Sequence, residues 1–372
     1  MKITCDREKL LAAFQTAATI SPTKSPKPVL QSVKLQVTED SAVIAATDME
    51  VGIRIEVTGI ETTTPGEVLL PVARFGPILR ECSDEKLTIE SSAQGTTVVG
   101  EHSEFSLQSE NPAEFPNVVQ FEEEKFHEVP ARLLKEMIRR TLFATDTESN
   151  RYALGGVKVE LDEKTITGIG TDGRRLAKME GPAHSIGGHE TGEATAIAPS
   201  RSMQLIERAL SDGDAEVQVC VRANDLLVKT PRATIYTRLV EGRFPAWRDV
   251  FPDQRGSVRL DMAVGPMHSA LRQAAVVASE SSRGIDFTFG EGSLVLKAST
   301  ADVGNSRIEL PIPYDGENVT VTLDHRYVSD FLRVLDPDKT FQLELENADS
   351  AVVFSTDDGY GYVVMPLARN QD

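Results

Sequence analysis

A period of about 125 residues runs through this chain and limits its architecture more than any other feature. Ala46-Thr47-Asp48 returns as Gly170-Thr171-Asp172 124 residues later, and Phe115-Pro116 returns as Phe244-Pro245 after 129. Ser299-Thr300-Ala301-Asp302 is a looser third copy of the Thr-Asp turn. Amphipathic stripes keep the same spacing. Residues 6–20, 130–141 and 266–279 predict a helix opening each unit, with Leu133, Leu134, Met137 and Ile138 forming one such apolar face. Residues 71–80, 199–210 and 324–335 predict a second helix in each. A proline near the start of four of these suits a first helical turn. Alternating runs between them predict half-buried strands: Val33, Leu35 and Val37; Val51, Ile53, Ile55 and Val57; Val157, Val159 and Leu161; Val217, Val219 and Val221; Ile308, Leu310 and Ile312; Phe341, Leu343 and Leu345.

A chain of 372 residues exceeds one ordinary core, and 40% hydrophobic residues supply several. The expected class is α+β, with three similar domains at 1–125, 126–253 and 254–372, joined through the extended stretches 111–129 and 242–258. The apolar runs, such as 10–14 and 274–278, are too short to span a membrane. The first ten residues are charged and carry no signal-peptide core. Cys5, Cys82 and Cys220 are odd in number and far apart, which argues against a disulfide framework and makes the cytoplasm the expected compartment.

Motifs for chemistry are scarce. Gly168-Ile169-Gly170-Thr171-Asp172-Gly173 fits the dinucleotide fingerprint, which needs a helix after it to receive a pyrophosphate. No helical stripe follows before Pro182. Aligning the two Thr-Asp pairs puts Ile44, Ala46 and Met49 at the three glycine positions, so the turn exists without glycine. No phosphate-loop sequence and no nucleophile elbow occur. The histidines are scattered, and His184 with His189 read as a solvated loop rather than a metal site. The run 122–124 reads as solvated linker, and Asn318-Val319-Thr320 is a sequon without meaning in a cytosolic protein. No catalytic residue, metal or cofactor is expected.

The charge distribution says more. The chain carries −18 overall, yet the six helical segments hold 13 bases and 6 acids, leaving −25 on the remainder. The basic set is Arg7, Lys9, Arg74, Arg80, Arg132, Lys135, Arg139, Arg140, Arg201, Arg208, Arg272, Arg326 and Arg333. A common basic helical surface on an acidic chain would attract phosphate without reading bases.

Taken in order, Ala46-Thr47-Asp48-Met49-Glu50, Arg151-Tyr152-Ala153-Leu154, Thr171-Asp172-Gly173-Arg174-Arg175-Leu176, Glu241-Gly242-Arg243-Phe244-Pro245 and Tyr362-Val363-Val364-Met365-Pro366 resemble the bacterial DNA polymerase III β subunit, the replicative sliding clamp, over essentially the whole chain. That resemblance implies a ring of two chains in head-to-tail contact, helices inside and antiparallel sheets outside, around duplex DNA. Twelve helices at ~9 Å spacing close a circle ~34 Å across their axes, which leaves a hole of ~24 Å, whereas six would leave ~7 Å. Two chains can encircle DNA and one cannot.

The resemblance also implies three sites. A partner-peptide pocket would use Leu154, Thr171, Gly173, Arg174, Arg175 and Leu176, together with Pro245, Val250, Tyr327, Val363, Met365, Pro366 and Leu367. The dimer contact would set Phe105 and Leu107 on an edge strand against Val276 and Val277 on a helix. DNA contact would fall to Lys24, Arg74, Arg80, Arg132, Lys135, Arg139, Tyr152 and Arg201. The implied partners are sequence-independent duplex DNA, a second copy of the chain, the DNA polymerase III α subunit, the clamp loader and other proteins with clamp-binding motifs. The sequence departs from the family at Arg174, where histidine is usual, and at Asp249, where arginine is. It departs again at Glu148 and Ala153 near the DNA contact, and acids are few around 301–306. The expected function is a non-enzymatic processivity clamp. An acidic repeat scaffold that binds only proteins is the competing class, and a dinucleotide oxidoreductase resting on Gly168 to Gly173 is third.

Overall fold

The computed structural model describes residues 1–108, 110–146, 152–191, 196–210, 213, 215–251, 258–279 and 282–367, and of Tyr152 the backbone alone. Three copies of one element order emerge among the described residues, the third one strand shorter. The first runs β1 (Lys2–Asp6), α1 (Arg7–Ala18), β2 (Ser32–Val37), β3 (Ala42–Thr47), β4 (Val51–Glu56), β5 (Ile60–Thr64) and β6 (Gly66–Pro71). It ends with α2 (Val72–Glu81), β7 (Lys86–Ser92), β8 (Gly95–Val99) and β9 (Glu104–Leu107). The second runs β10 (Phe126–Pro130), α3 (Ala131–Leu142), β11 (Gly156–Leu161), β12 (Thr165–Thr171), β13 (Arg175–Pro182), β14 (His184–Ile186) and β15 (Ile197–Pro199). Then come α4 (Ser200–Ala209), β16 (Glu216–Val221), β17 (Asp225–Lys229) and β18 (Ala233–Arg238). The third runs β19 (Val258–Ala263), α5 (Val264–Ala274), β20 (Gly284–Gly290), β21 (Ser293–Thr300), β22 (Gly304–Pro311) and β23 (Val319–Asp324). It closes with α6 (His325–Arg333), β24 (Thr340–Leu345), β25 (Val352–Ser355) and β26 (Tyr360–Val364).

Among the described residues six α-helices overlap the six expected windows, α5 starting two residues early and stopping at Ala274, but the prolines sit differently. Pro71 and Pro199 are N-caps with extended backbone, Pro130 ends the preceding strand, and Pro266 alone lies in a first turn. The reason is that each helix springs directly from a strand, so its cap must still be extended. Asp6 and Asp324 fill the same place with a side chain that accepts from Lys9 N and Arg326 N.

The chain divides into two compact units: 1–135 with 162–164 and 183–239, and 136–161 with 165–182 and 240–372. In the first, antiparallel sheets run β5-β1-β7-β8-β9 and β14-β10-β16-β17-β18-β4-β3-β2-β6. Phe14 of α1 meets Phe75 of α2 edge-on at 5.1 Å. In the second, strands run β11-β12-β13-β26-β25-β24-β19 and β22-β21-β20-β23. There Phe331 of α6 packs on Phe341, Phe354, Tyr360 and Tyr362 with centroids 5.0–5.5 Å away.

One joint recurs. The last strand of the second repeat pairs with β4 of the first, from Thr237↔Val51 to Ala233↔Ile55. The last strand of the third pairs with β13 of the second, from Val364↔Arg175 to Tyr360↔Met179. The strands holding the corresponding places at the two ends of the chain, β9 and β22, are sheet edges.

Three expectations are corrected. The stretch 111–129 is not simple linker: Phe115 and Val118 are buried with Val29, Ala45 and Leu69, and Glu123 pairs with Arg222 at 2.9 Å. His189 is buried rather than solvated, its Nδ1 lying 2.8 Å from that of His127. Arg140 is buried too, bonded to Glu136 and, at 2.7 Å, to Asp358, with its guanidinium against the Tyr360 ring, so it does not belong to a DNA-facing set. The fingerprint glycines have a packing cause. A Cβ on Gly170 would meet the Thr141 carbonyl oxygen at 2.1 Å, and one on Gly168 would meet Met137 at 2.7 Å. A strand, not a helix, follows them. Among the described residues no group of His, Cys, Asp or Glu is set to hold a metal, and no helix is long and apolar enough to cross a membrane.

Candidate functional site

The Thr171–Arg175 turn organises the second unit's candidate pocket. Thr171 Oγ1 donates to the Arg175 carbonyl at 2.7 Å and accepts from Gly173 N at 3.0 Å. Asp172 Oδ1 accepts from the backbone of Arg174 and Arg175 at 2.9 and 3.1 Å. Gly173 takes φ +87, with open space where a Cβ would stand. The first repeat builds the same turn from Thr47 and Asp48, and there Met49 adopts φ 82. A left-handed position is therefore intrinsic to this turn, and Met49 carries the strain that glycine avoids.

The turn aims Arg175 inward. Its guanidinium donates to Asp172 at 3.0 Å, to Asp330 at 2.6 Å and to the Phe143 carbonyl at 2.8 Å. It lies 4.4 Å from the centre of the Tyr327 ring and 5.4 Å from that of Phe143. Burial works against the charge, but Tyr362, Asp330 and Asp172 outweigh it and raise the pKa. Burial also raises that of Tyr362, whose hydroxyl donates to the Tyr327 carbonyl at 3.0 Å. Asp330, Asp172 and Phe143 are absent from the sequence-derived set. Asp330 was findable only by its place on the same α6 face as Tyr327, one turn on.

Strand β26 supplies the other wall. Leu176 and Val363 are cross-strand partners, both nearly fully buried, and with Leu154 and Thr171 they form a floor more than a contact surface. Beyond β26, Met365 N still donates to the Arg174 carbonyl at 3.0 Å and Leu367 N to that of Thr322 at 2.9 Å. Pro366 and Leu367 are half-buried, whereas Met365 is 47% exposed. Gly173 and Arg174 are exposed. Pro245 and Val250 are exposed on a separate segment, whose 3-10 turn Trp247–Val250 is anchored by Trp247 Nε1 donating to Glu160 at 3.1 Å. Arg248 bonds the same carboxylate at 2.7 Å, and with Lys158 these partners hold Glu160 below the usual carboxylate range although burial opposes them. Asp249 is exposed, and Ala153 lies in the 3-10 turn Tyr152–Leu154. Glu148 lies outside the described residues.

At the expected dimer contact, Phe105 and Leu107 are half-buried on edge strand β9. Val276 and Val277 are not on the helix proper. α5 ends at Ala274, and they sit in the 3-10 turn Ala275–Val277, which turns Val276 out to 77% exposure. Ile308 and Leu310 on edge strand β22 are also half-buried, on a run whose alternation alone does not mark it as an edge.

Of the expected DNA-contact residues, Lys24, Arg74, Arg80, Arg132, Arg139 and Arg201 are exposed and Lys135 is half-buried. Among the described residues Lys24, Arg74, Arg80 and Arg132 make no ion pair. Arg201 is committed to Asp48 at 2.8 Å and to the Ile20 carbonyl at 3.3 Å. Tyr152 opens a 3-10 turn.

Residues 1–119, 128–246 and 248–368 match, in order, the family models for the N-terminal, central and C-terminal domains of the DNA polymerase III beta subunit. A "Beta sliding clamp" of Chlamydia pneumoniae is 28% identical over 374 residues, covering 100% of both chains. That of Escherichia coli K12 is 25% identical over 369 residues, covering 99% of this chain and 100% of its own. The crystal structure of the DNA polymerase III subunit beta from Pseudomonas aeruginosa superposes with a TM-score of 0.89 at 25% identity, over 99% of this chain and 100% of that one.

Proposed function

Because the chain belongs to the bacterial DNA polymerase III beta subunit family, we propose that it works as a sliding clamp: a processivity factor, not an enzyme, that encircles duplex DNA and tethers the replicative polymerase. Domain limits at 1–125, 126–253 and 254–372 fit this reading.

The observation that carries ring closure is the recurring joint. Strand β18 on β4 and β26 on β13 join successive repeats, and the two strands left over are β9 and β22. Pairing β9 of one copy with β22 of another makes the same joint a third time, and doing so at both ends closes six repeats head to tail. An edge strand left open invites such pairing. The contact would bring Phe105 and Leu107 against Ile308 and Leu310, with Val276 covered beside them. Exposed basic residues such as Arg74 and Arg132 would meet phosphates weakly and without sequence, so the closed ring slides.

The Thr171 turn, Tyr327 and the end of the chain form the partner-peptide site in this reading. A peptide burying two large apolar side chains there gains ~1.5–3 kcal/mol for each. Hydrogen bonds along the strand after Val364 add to that. Micromolar affinity needs ~8 kcal/mol, so the polymerase α subunit, the loader and other partners exchange. Sedimentation of the wild type and of Leu107→Asp tests the closure. The wild type should run as a dimer, and the variant, with a charge in a desolvated apolar contact, as a folded monomer. A wild type that stays monomeric at micromolar concentration would remove the ring.

A further inference from the structure

A groove of 270 Å³ opens on the first unit where β18 joins β4. Arg54 of β4, Lys229 of β17 and Arg232 of the following turn line it, with Glu56, Gln120 and Phe121. Arg54 and Lys229 both stand in register with Thr234, so the two cations flank one residue on the same sheet face. Lys229 is held over the Phe121 ring, 5.7 Å from its centre. Among the described residues none of the three cations makes an ion pair, and Arg54 is half-buried. A partly desolvated guanidinium without a carboxylate is a cost, and burial pulls its pKa down.

The second unit shows what this place looks like when it is closed. Lys178, 124 residues beyond Arg54, occupies the same position in its joint. There the cation pairs with Glu180 at 3.0 Å and lies 5.7 Å from the centre of the Trp247 ring, while Phe251 packs against Gly361 across the strand. Glu56 is the counterpart of Glu180, yet it does not pair with Arg54. The first joint is thus open with unpaired cations where the second is filled and its Lys178 is paired, on a chain of net charge −18.

We propose that this groove binds a phosphoryl oxyanion carried on a small soluble ligand. The planar fork of Arg54 suits two phosphate oxygens at once, Lys229 and Arg232 add point charge, and Glu56 leaves a net local charge favourable to an anion. The 372-residue chain is titrated calorimetrically with inorganic pyrophosphate at constant ionic strength, and separately with a short DNA duplex. Saturable pyrophosphate binding with Kd near ~1 mM or tighter is expected. Arg54→Met and Lys229→Met should each weaken it about tenfold, and Glu56→Gln should strengthen it severalfold. Affinity for the duplex should be unchanged in all three. Having one arginine and one lysine variant guards against either misfolding, which far-ultraviolet circular dichroism identifies. Absence of saturable pyrophosphate binding, or equal binding by all variants, overturns the proposal. So does a loss confined to the duplex, which would assign the groove to a nucleic-acid backbone.

Discussion

Asp330→Ala removes the carboxylate that meets the Arg175 guanidinium at 2.6 Å in the second unit. Deleting one partner of a buried ion pair costs ~3–5 kcal/mol when the other charge is stranded. Arg175 is not wholly stranded, because Asp172 at 3.0 Å and the Phe143 carbonyl at 2.8 Å remain. The expected loss is therefore ~2 kcal/mol. The first joint, between the first and second repeats, indicates what restores it. Val51 stands at the place of Arg175, 124 residues earlier, and Leu205 at that of Asp330, 125 earlier; both are buried and line one cavity with Ile20. The double variant Arg175→Met with Asp330→Leu should accordingly return to within ~1 kcal/mol of wild type. Trp247, the only tryptophan, lies in the second unit and reports its unfolding in urea. The double-mutant cycle should give a coupling of at least ~1 kcal/mol. Peptide affinity should not recover in the double variant, since the Tyr327 ring has lost Arg175, the nearer of its two cations at 4.4 Å, and keeps only Arg326 at 5.9 Å. An Asp330→Ala variant within ~0.5 kcal/mol of wild type, or a double variant no more stable than the singles, would refute the argument.

Met365→Ala should weaken a polymerase-derived peptide about tenfold, ~1.4 kcal/mol by isothermal titration, while dimerisation stays intact, because Met365 is exposed beside the turn. Gly170→Ala should lower the urea midpoint of the second unit sharply, since the Thr141 carbonyl 2.1 Å from the new Cβ is backbone and cannot step aside. His127 has its pKa lowered, first by burial and then by His189 and His184, against the raising effect of the Asp162 carbonyl. A depressed folded pKa means stability that is complete above the unfolded value of ~6.5 and lost as pH falls through the folded one. The first unit should therefore unfold at lower urea at pH 5.5 than at pH 7.5, followed by circular dichroism, and His127→Asn should flatten that difference.

The helices and the repeat were readable because apolar periodicity is a local property, and among the described residues a helix overlaps each of the six stripes. Joints were not, since a strand's own alternation does not say which neighbour it pairs with, and β4–β18 and β13–β26 link residues far apart in the chain. The third copy of the Thr-Asp turn is looser in sequence for a structural reason: the hairpin closes from Thr300 to Gly304, one residue tighter than Thr47 to Gly52 and Thr171 to Leu176. At the pocket, the motif Thr171 to Leu176 announced the turn but not the clamp on Arg175, because Asp330 and Phe143 come from elements that only tertiary packing brings near. Charge counting erred at Arg140, where a basic residue on a helix stripe turned inward to a carboxylate from β-strand flanks no periodicity predicts.

Retention on DNA of different topology tests the central claim most directly. The protein, loaded onto nicked circular and onto linear duplexes of equal length by a clamp loader and ATP, is followed by gel filtration as salt is raised. Contacts to phosphate alone would weaken steeply with salt on both templates. A closed ring should stay on the circle across a range where it has already run off the linear ends, and cutting the circle should release it. Equal loss from the two templates would contradict topological tethering.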